Sequence, residues 1–335
     1  MAFPISSVNE RVFEPDWSGE VFVCDIDRTY LHTRFSTLQG LAQIPFEFAV
    51  DKKEIEGMVP LLLEVRRGPG ARSRQTPLYF ISASPSQLRP VIQRKMLLDG
   101  LEFDGTVFKD WLGVLASLRL KRLKEQVGFK LTALLLHRKE LPRGARQILI
   151  GDDLESDALT FALFADAMAG RLDQEQLLAI LLQQGVADDD ARGICRLVAE
   201  LPRTEAVKRA YIRMERHGSA EALIDFWPHV ALCRGAFQMA LGLWQAGSIS
   251  ESGVLRVAAD LRAQGHPAQE VAIRLAESCR RGLVERERCA ELQSRLMDHG
   301  LLDAIEELPG IEPEWESTSV PGKPWTPRRP KAGSA

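Results

Sequence analysis

The chain has 335 residues, 45% of them hydrophobic, which is enough to bury a large core and predicts two domains. Its formal net charge of −3 argues against a general nucleic-acid-binding or anionic-membrane surface. Residues 1–20 have no basic start followed by an apolar run, and no segment is apolar for long enough to span a bilayer, so we expect neither a signal peptide nor a membrane span. The five cysteines form no Cys-x-x-Cys pair, which indicates reduced thiols in a cytoplasmic protein.

The first informative segment is residues 21–29, with the sequence VFVCDIDRT. Its apolar part is short and continuous rather than alternating, which predicts a strand buried on both faces of a parallel sheet. Asp25 and Asp27 follow at the carboxyl end of this strand, where open α/β sheets place their ligands. We therefore expect both carboxylates to point toward a single spot. Cys24 lies within the strand, and we interpret it as a packing residue.

Two further strands end in polar motifs. The apolar run at residues 78–81 leads into Ser82-Ala83-Ser84-Pro85. The run at residues 147–150 leads into GDDLESD, which contains Asp152, Asp153 and Asp157. Lys130 begins an amphipathic segment about one helix upstream of that third strand.

Strand and helix patterns alternate between residues 21 and 169, which predicts βαβ units and a parallel sheet. Helices are predicted at 54–66 and 90–98, and a short strand at 103–108. From Gly170 onward we find no strand signal. Helical periodicity covers 172–182, 191–201, 220–232, 236–246, 254–264, 268–280 and 285–299.

The predicted fold class is α/β, with a Rossmann-like parallel sheet followed by an all-α helical domain. The predicted divisions are an N-terminal extension (1–20), the α/β domain (21–169), the helical domain (170–309) and a disordered Pro-rich tail (310–335).

Taken in order, Asp25-x-Asp27-x-Thr29, Ser82, Lys130 and Gly151-Asp152 with Asp157 resemble the four motifs of the haloacid dehalogenase superfamily of phosphohydrolases. The resemblance implies that Asp25 attacks phosphorus and forms an aspartyl-phosphate. Asp27 would protonate the leaving alkoxide and later take a proton from water.

The remaining predicted roles concern the phosphate and the metal. Ser82 and Lys130 would stabilise charge on the phosphoryl oxygens, with Lys109 as the competing candidate for the lysine. Substrate binding is assigned to three residues near the strand ends, Thr29, Arg28 and Ser84. Mg²⁺ is the expected cofactor, and its predicted ligands are Asp25, Asp27, Asp152, Asp153 and Asp157.

A closer resemblance is to the catalytic domain of the actin-patch type of phosphatidate phosphatases, relatives of the lipins. It is carried by Asp25-Ile26-Asp27-x-Thr29, Ser82-Ala83-Ser84-Pro85-x-Gln87-Leu88, Lys109-Asp110-Trp111 and Ile150-Gly151-Asp152 with Asp157, and it covers residues 21–165. The family removes the phosphate of phosphatidic acid and related lipid phosphates with Mg²⁺. The chain departs from the family pattern at Arg28, where an acidic residue is common, and at Ser86, where an aromatic residue is usual.

Two functions are consistent with these motifs. The first is a Mg²⁺-dependent phosphomonoesterase with an aspartyl-phosphate intermediate, acting on phosphatidic acid or another large phosphate ester. The alternative is a non-catalytic phosphate- or phospholipid-binding module that recruits partners through its helical domain. We expect no nucleic-acid partner and no transmembrane segment, and the sequence leaves the oligomeric state open.

Access to the site is the last expectation. Residues 31–53 and 84–130 leave no room for an inserted cap domain, which predicts an open catalytic face. Apolar residues beside Asp25 would form either a contact lip or a cluster that closes the edge of the sheet. They are Leu38, Leu41, Ile44, Phe46 and Phe48. The helical half folding over the site as a cap is the competing arrangement.

Overall fold

The computed structural model describes residues 5–32, 53–112, 126–153, 156–215 and 230–303. The described residues contain one seven-stranded sheet in the order β1-β4-β3-β2-β5-β6-β7. The strands are β1 (Ile5–Asn9), β2 (Gly19–Asp25), β3 (Leu78–Pro85), β4 (Gly105–Lys109), β5 (Ala145–Asp152), β6 (Val207–Arg213) and β7 (Val230–Cys233). Neighbouring strands are parallel, except that β1 pairs antiparallel with β4.

Helices cover both faces of the sheet. They are α1 (Met58–Arg67), α2 (Arg89–Leu98), α3 (Gln126–Glu140), α4 (Asp157–Ala169), α5 (Gln174–Gln183), α6 (Asp188–Glu200), α7 (Ala236–Gln245), α8 (Glu251–Ala263), α9 (Ala268–Arg280) and α10 (Arg286–Asp298). None of the helices within these described ranges is both long and apolar enough to cross a membrane.

Alternate residues of the central strands enter two separate cores. In β2, Val21 and Val23 pack with α3, α4, α5 and α6, whereas Phe22 and Cys24 pack with α1, α2 and α7 to α10. Because side chains of a strand alternate between faces, a strand buried on both sides must be apolar throughout. This explains the continuous apolar run that marked β2 in the sequence.

Strand β2 lies where the strand order reverses. The chain passes from β2 to β3 and β4 on one side, and then continues through β5, β6 and β7 on the other. Ligands of open α/β sheets bind in the crevice at the carboxyl ends of the strands beside such a reversal. The fold therefore places Asp25 at the position where a ligand site is expected.

The predicted α/β fold class is confirmed, as is the run of helices that follows. The prediction that no strand occurs after Gly170 is wrong, because β6 and β7 continue the sheet beyond β5. The helix predicted at 220–232 is wrong at its carboxyl end, because residues 230–232 belong to β7. Residues 220–229 of that prediction lie outside the described residues. A run of four apolar residues fits a buried strand and a buried helix equally well, and only pairing with β6 decides between them.

Residues 1–20 and 170–309 were predicted to be separate from the α/β domain, yet both contribute strands to its sheet. Residues 5–9 form the edge strand β1, and the helical segment supplies β6 and β7. The division into domains stays a prediction about independent folding. The apolar residues of the proposed contact lip and the tail 310–335 lie outside the described residues.

Candidate active site

A tight turn follows the strand that carries the first aspartate. β2 ends at Asp25, and residues 26–31, called the β2 loop below, fold back on themselves. The carbonyl oxygen of Ile26 accepts hydrogen bonds from the backbone N–H groups of Tyr30 at 3.0 Å and of Leu31 at 2.9 Å. These two bonds close the loop at the carboxyl end of β2, beside the ends of β3 and β5.

Arg28 is the strained residue of the β2 loop. Its φ angle is 62°, in the left-handed region, and its N–H donates to the carbonyl of Leu31 at 2.8 Å. A residue with a Cβ atom pays about 1–2 kcal/mol to adopt this conformation. Its side chain is 42% exposed, and Nη1 lies 3.8 Å from Oε2 of Glu215. The backbone of Arg28, rather than its guanidinium, therefore sets the positions of Asp27 and Thr29 on either side.

Three aspartates come together at this edge of the sheet. Asp25, Asp152 and Asp157 are buried, and each offers a carboxylate oxygen such that the three atoms lie within 4.8 Å of one another. Oδ2 of Asp157, in the first turn of α4, also accepts a hydrogen bond from the N–H of Asp152 at 3.2 Å. Gly151 makes this approach possible, because a Cβ atom there would overlap the carboxylate of Asp157. This acidic group can hold a metal ion.

Lys130 of α3 is the cation of the acidic group. Its Nζ lies 2.8 Å from Oδ1 of Asp25 and 2.5 Å from Oδ1 of Asp157, and its side chain is 2% exposed. The competing candidate Lys109 is also buried, with its Nζ 5.8 Å from the centre of the Phe129 ring. Contact with Asp25 therefore favours Lys130. If all four side chains are ionised, three carboxylates and one ammonium leave an excess of negative charge that attracts a further cation.

Asp27 faces the serine motif at the end of β3. Ser82 Oγ donates to Oδ2 of Asp27 at 2.6 Å, and Ser84 Oγ donates to Oδ1 at 2.8 Å. Both serines are buried, and the indole N–H of Trp111 holds the chain between them by donating to the carbonyl of Ala83 at 3.0 Å. In this arrangement Asp27, predicted as a metal ligand as well as a general acid, is oriented by hydroxyl groups and lies outside the acidic group.

Thr29 contacts the acidic group, whereas Asp153 lies outside it. The hydroxyl of Thr29 donates to Oδ2 of Asp152 at 3.4 Å, so this residue orients a carboxylate of the acidic group. The carboxylate of Asp153 instead accepts a hydrogen bond from the N–H of Glu215 at 2.8 Å. Asp153, a predicted ligand, is therefore not part of the acidic group that the described residues form.

Arg213 and Glu215 adjoin the site and were missed in the sequence. Arg213 ends β6 and donates from Nε to the carbonyl of Arg28 at 3.2 Å, with a second bond from Nη2. Nη2 also donates to the carboxylate of Glu215. Because β6 has the sequence VKRAYIR, which mixes cations with apolar residues, its only strand signal is a weak alternation.

Cys24 lies next to Asp25 but does not face the acidic group as a nucleophile. Its Sγ donates to the carbonyl of Asp25 at 3.2 Å, within the core that contains α1, α2 and α7 to α10. Burial raises the pKa of the Cys24 thiol well above its ordinary value, and the charges of Asp25 and Asp157 raise it further. A thiol that stays protonated is a poor nucleophile, so the interpretation of Cys24 as a packing residue is supported.

The geometry can be compared with known protein families. Residues 21–182 match the family model described as the catalytic domain of phosphatidate phosphatase APP1. These residues, just under half of the chain, resemble an APP1-type catalytic domain. The resemblance drawn from the motifs is confirmed, and the APP1-type domain extends beyond the motifs into α5. The acidic group and Lys130 lie entirely within the matched residues, and the match implies a phosphatase. A search of curated proteins and of solved structures found no match.

Proposed function

We propose that the protein is a Mg²⁺-dependent phosphomonoesterase of haloacid dehalogenase type that acts through an aspartyl-phosphate on Asp25. The proposed substrate is phosphatidic acid or another large phosphate ester. The observation that carries the proposal is the buried acidic group with Lys130 between Asp25 and Asp157, inside an APP1-type domain. The match to a phosphatase family and the contact between Asp25 and Lys130 together favour Asp25 as the nucleophile.

The donor set fits Mg²⁺. The acidic group offers carboxylate oxygens, the hard ligands that Mg²⁺ prefers, and its three aspartates outnumber the one lysine. When bound, Mg²⁺ would neutralise charge on the phosphoryl oxygens. Asp25 and Asp152 would hold it, and Asp157 would complete or orient the ligand shell.

The first half-reaction uses Asp25 and Asp27. A carboxylate oxygen of Asp25 forms a bond to phosphorus while the bond from phosphorus to the ester oxygen breaks. Lys130 donates hydrogen bonds to the phosphoryl oxygens, whose charge increases during transfer. Asp27, oriented by Ser82 and Ser84, gives its proton to the departing alkoxide, so that the alcohol leaves neutral.

The second half-reaction returns the enzyme to its starting state. Asp27, now ionised, takes a proton from water as the water oxygen attacks phosphorus. The bond between phosphorus and Asp25 breaks, inorganic phosphate leaves, and Asp25 is a carboxylate again. Both buried serines keep Asp27 in place through the two half-reactions.

The test is phosphate release from phosphatidic acid in mixed micelles and from an aryl phosphate, with and without Mg²⁺. We expect D25N to lose activity by at least about a thousandfold while its circular dichroism spectrum stays unchanged. D166N is the matched control, because Asp166 is an equally buried aspartate of α4 that pairs with Arg171 rather than with the acidic group. Near-normal Mg²⁺-dependent release by D25N would contradict the mechanism.

The same assay distinguishes the proposed enzyme from the alternative, a non-catalytic binding module. A wild-type protein that binds vesicles containing phosphatidic acid but releases no phosphate would support the non-catalytic module. Trapping an acid-stable, hydroxylamine-labile phosphoryl group on wild type and not on D25N would support the aspartyl-phosphate. Preference for a small sugar or nucleotide phosphate by about a hundredfold, or roughly 3 kcal/mol of transition-state discrimination, would contradict the proposed large substrate.

A further inference from the structure

The end of β6 lies close to the reacting edge of the sheet, although it belongs to the part of the chain beyond the APP1-type domain. Arg213 pairs with Asp152 in the register between β5 and β6, and its side chain is about one-tenth exposed. From there its guanidinium extends past the end of β5 to the carbonyl oxygen of Arg28 in the β2 loop. A residue outside the matched segment thus contacts the β2 loop, which follows Asp25 and carries Asp27.

The contact is made at the strained position of the loop. Arg28 is in the left-handed region, and in the described part of the chain Gln75 is the other non-glycine residue with a positive φ. Such a conformation persists only where surrounding contacts fix it. The guanidinium of Arg213 binds the carbonyl of that same residue with two N–H groups, and this fixes the orientation of the peptide that follows Arg28.

The same arginine connects the loops after β2 and β5. Glu215, which pairs with Arg213, donates its N–H to Oδ1 of Asp153 at 2.8 Å. The N–H of Asp153 in turn donates to the carbonyl of Arg213 at 3.1 Å. Asp153, which directly follows Asp152 at the end of β5, and the β2 loop are therefore anchored to one short segment at the end of β6.

We propose that Arg213 is a positioning residue, which holds the β2 loop in its left-handed conformation and so aligns Asp25 and Asp27 with the acidic group. This inference rests on the proposed function for its kinetic consequence but not for its structural one. Misplacement of reacting groups by about 1 Å can slow a reaction about a hundredfold. We expect the effect in turnover, because Arg213 contacts the backbone of the β2 loop and the carboxylate of Glu215.

The first experiment compares R213M with K208M in the full chain. Lys208 is a cation near the amino end of the same strand, where it pairs with Glu20 and the carbonyl of Ala246. We expect R213M to lower kcat for phosphatidic acid by about tenfold to a hundredfold with KM changed less than about threefold. K208M should keep both values. Unchanged kcat in R213M would overturn the proposal.

The second experiment tests the left-handed conformation directly. Glycine adopts positive φ without a steric cost, so R28G removes the need to hold the loop. We expect the kcat penalty of R213M to shrink to less than about threefold when it is measured in the R28G background. An equal penalty in both backgrounds would show that Arg213 acts in some other way, and would overturn the proposal.

Hydrogen exchange provides a readout that does not depend on activity. The N–H groups of Tyr30 and Leu31 close the β2 loop, and we expect them to exchange at least about tenfold faster in R213M and at the wild-type rate in K208M. If wild type releases no phosphate, the proposed function fails while these rates still decide the positioning role. If R213M does not fold, R213K, which keeps the charge but lacks the planar fork, replaces it in every arm.

Discussion

Residues 21–182 and residues 183–303 contribute to the same sheet in different ways. The first segment supplies β2 to β5, the acidic group and Lys130, and it matches a phosphatase family. The second supplies β6, β7 and helices α6 to α10, and the family model does not cover it. Helices α7 to α10 nevertheless share one core with α1 and α2, and α6 shares the other core with α3, α4 and α5. The limit of recognisable sequence similarity is therefore not a limit of the folded structure.

The largest effect is expected when the two segments are separated, which tests whether the first segment folds without the second. A chain truncated after Leu182 loses β6 and β7, which exposes the hydrogen-bonding edge of β5 and one of the two cores. We expect it to aggregate or to lack a cooperative unfolding transition, as measured by gel filtration and thermal denaturation. A matched chain truncated after Pro309 should keep wild-type stability. Soluble, cooperative and active material from the shorter chain would show that the first segment folds alone.

Substitution of the buried lysines Lys130 and Lys109 tests the chemistry of the first segment. K130M leaves Asp25 and Asp157 buried without their cation. We expect turnover to fall by about a hundredfold to a thousandfold and, without Mg²⁺, the free energy of unfolding to fall by about 3–5 kcal/mol. K109M is the control, and its loss of turnover should be smaller. Phosphate release and urea denaturation in EDTA measure the two effects; a larger loss of turnover in K109M would reverse the assignment of the lysine.

An ion pair between the segments tests whether they act as one body. Buried Glu64 of α1 binds Arg256 of α8 through two bonds of 2.6 Å. We expect E64Q to lower the free energy of unfolding by about 1.5–3 kcal/mol while kcat of the folded enzyme is unchanged. The exposed pair of Asp188 and Arg192 within the second segment is the control, and D188N should lower the free energy of unfolding by less than E64Q does. Urea denaturation compares the two, and equal costs would argue against a stabilising link between segments.

The smallest effect concerns pH. His266 contacts Glu270 of α9 and Glu56 of the first segment, and its hydrogen bond to Glu270 is the largest of the contributions that raise the pKa of His266 above 6.5. A histidine whose pKa is higher in the folded than in the unfolded state stabilises the protein at pH values below its unfolded-state pKa. This contribution disappears as the pH rises through the folded-state pKa. Because His266 is part exposed, we expect less than about 1 kcal/mol.

The measurement compares H266Q with wild type by urea denaturation. Wild type should be the more stable protein at about pH 6, and its advantage should disappear by about pH 8 to 9. An advantage that grows with pH would contradict the assignment.

Much of the site was predictable because the chemistry lies at strand ends. A continuous apolar run identifies a strand buried on two faces, and the polar residues that follow it must then emerge at one edge of the sheet. Asp25 and Asp152 were predicted in this way. Asp157 and Lys130 were predicted from the resemblance to the superfamily motifs, and the structure brings all four residues together. Asp153 was included with them because it neighbours Asp152, yet successive residues point in different directions, and its carboxylate faces Glu215.

The sequence by itself determined the α/β class, the order of the motifs and the residue types available for phosphate chemistry. These properties are local, since they depend on periodicity and on which residues follow each strand. Only the tertiary structure showed that β6 and β7 belong to the sheet, that Lys130 contacts Asp25, and that Arg213 contacts the β2 loop. Strand pairing and long-range hydrogen bonds join residues that are far apart in the chain, so no local pattern specifies them.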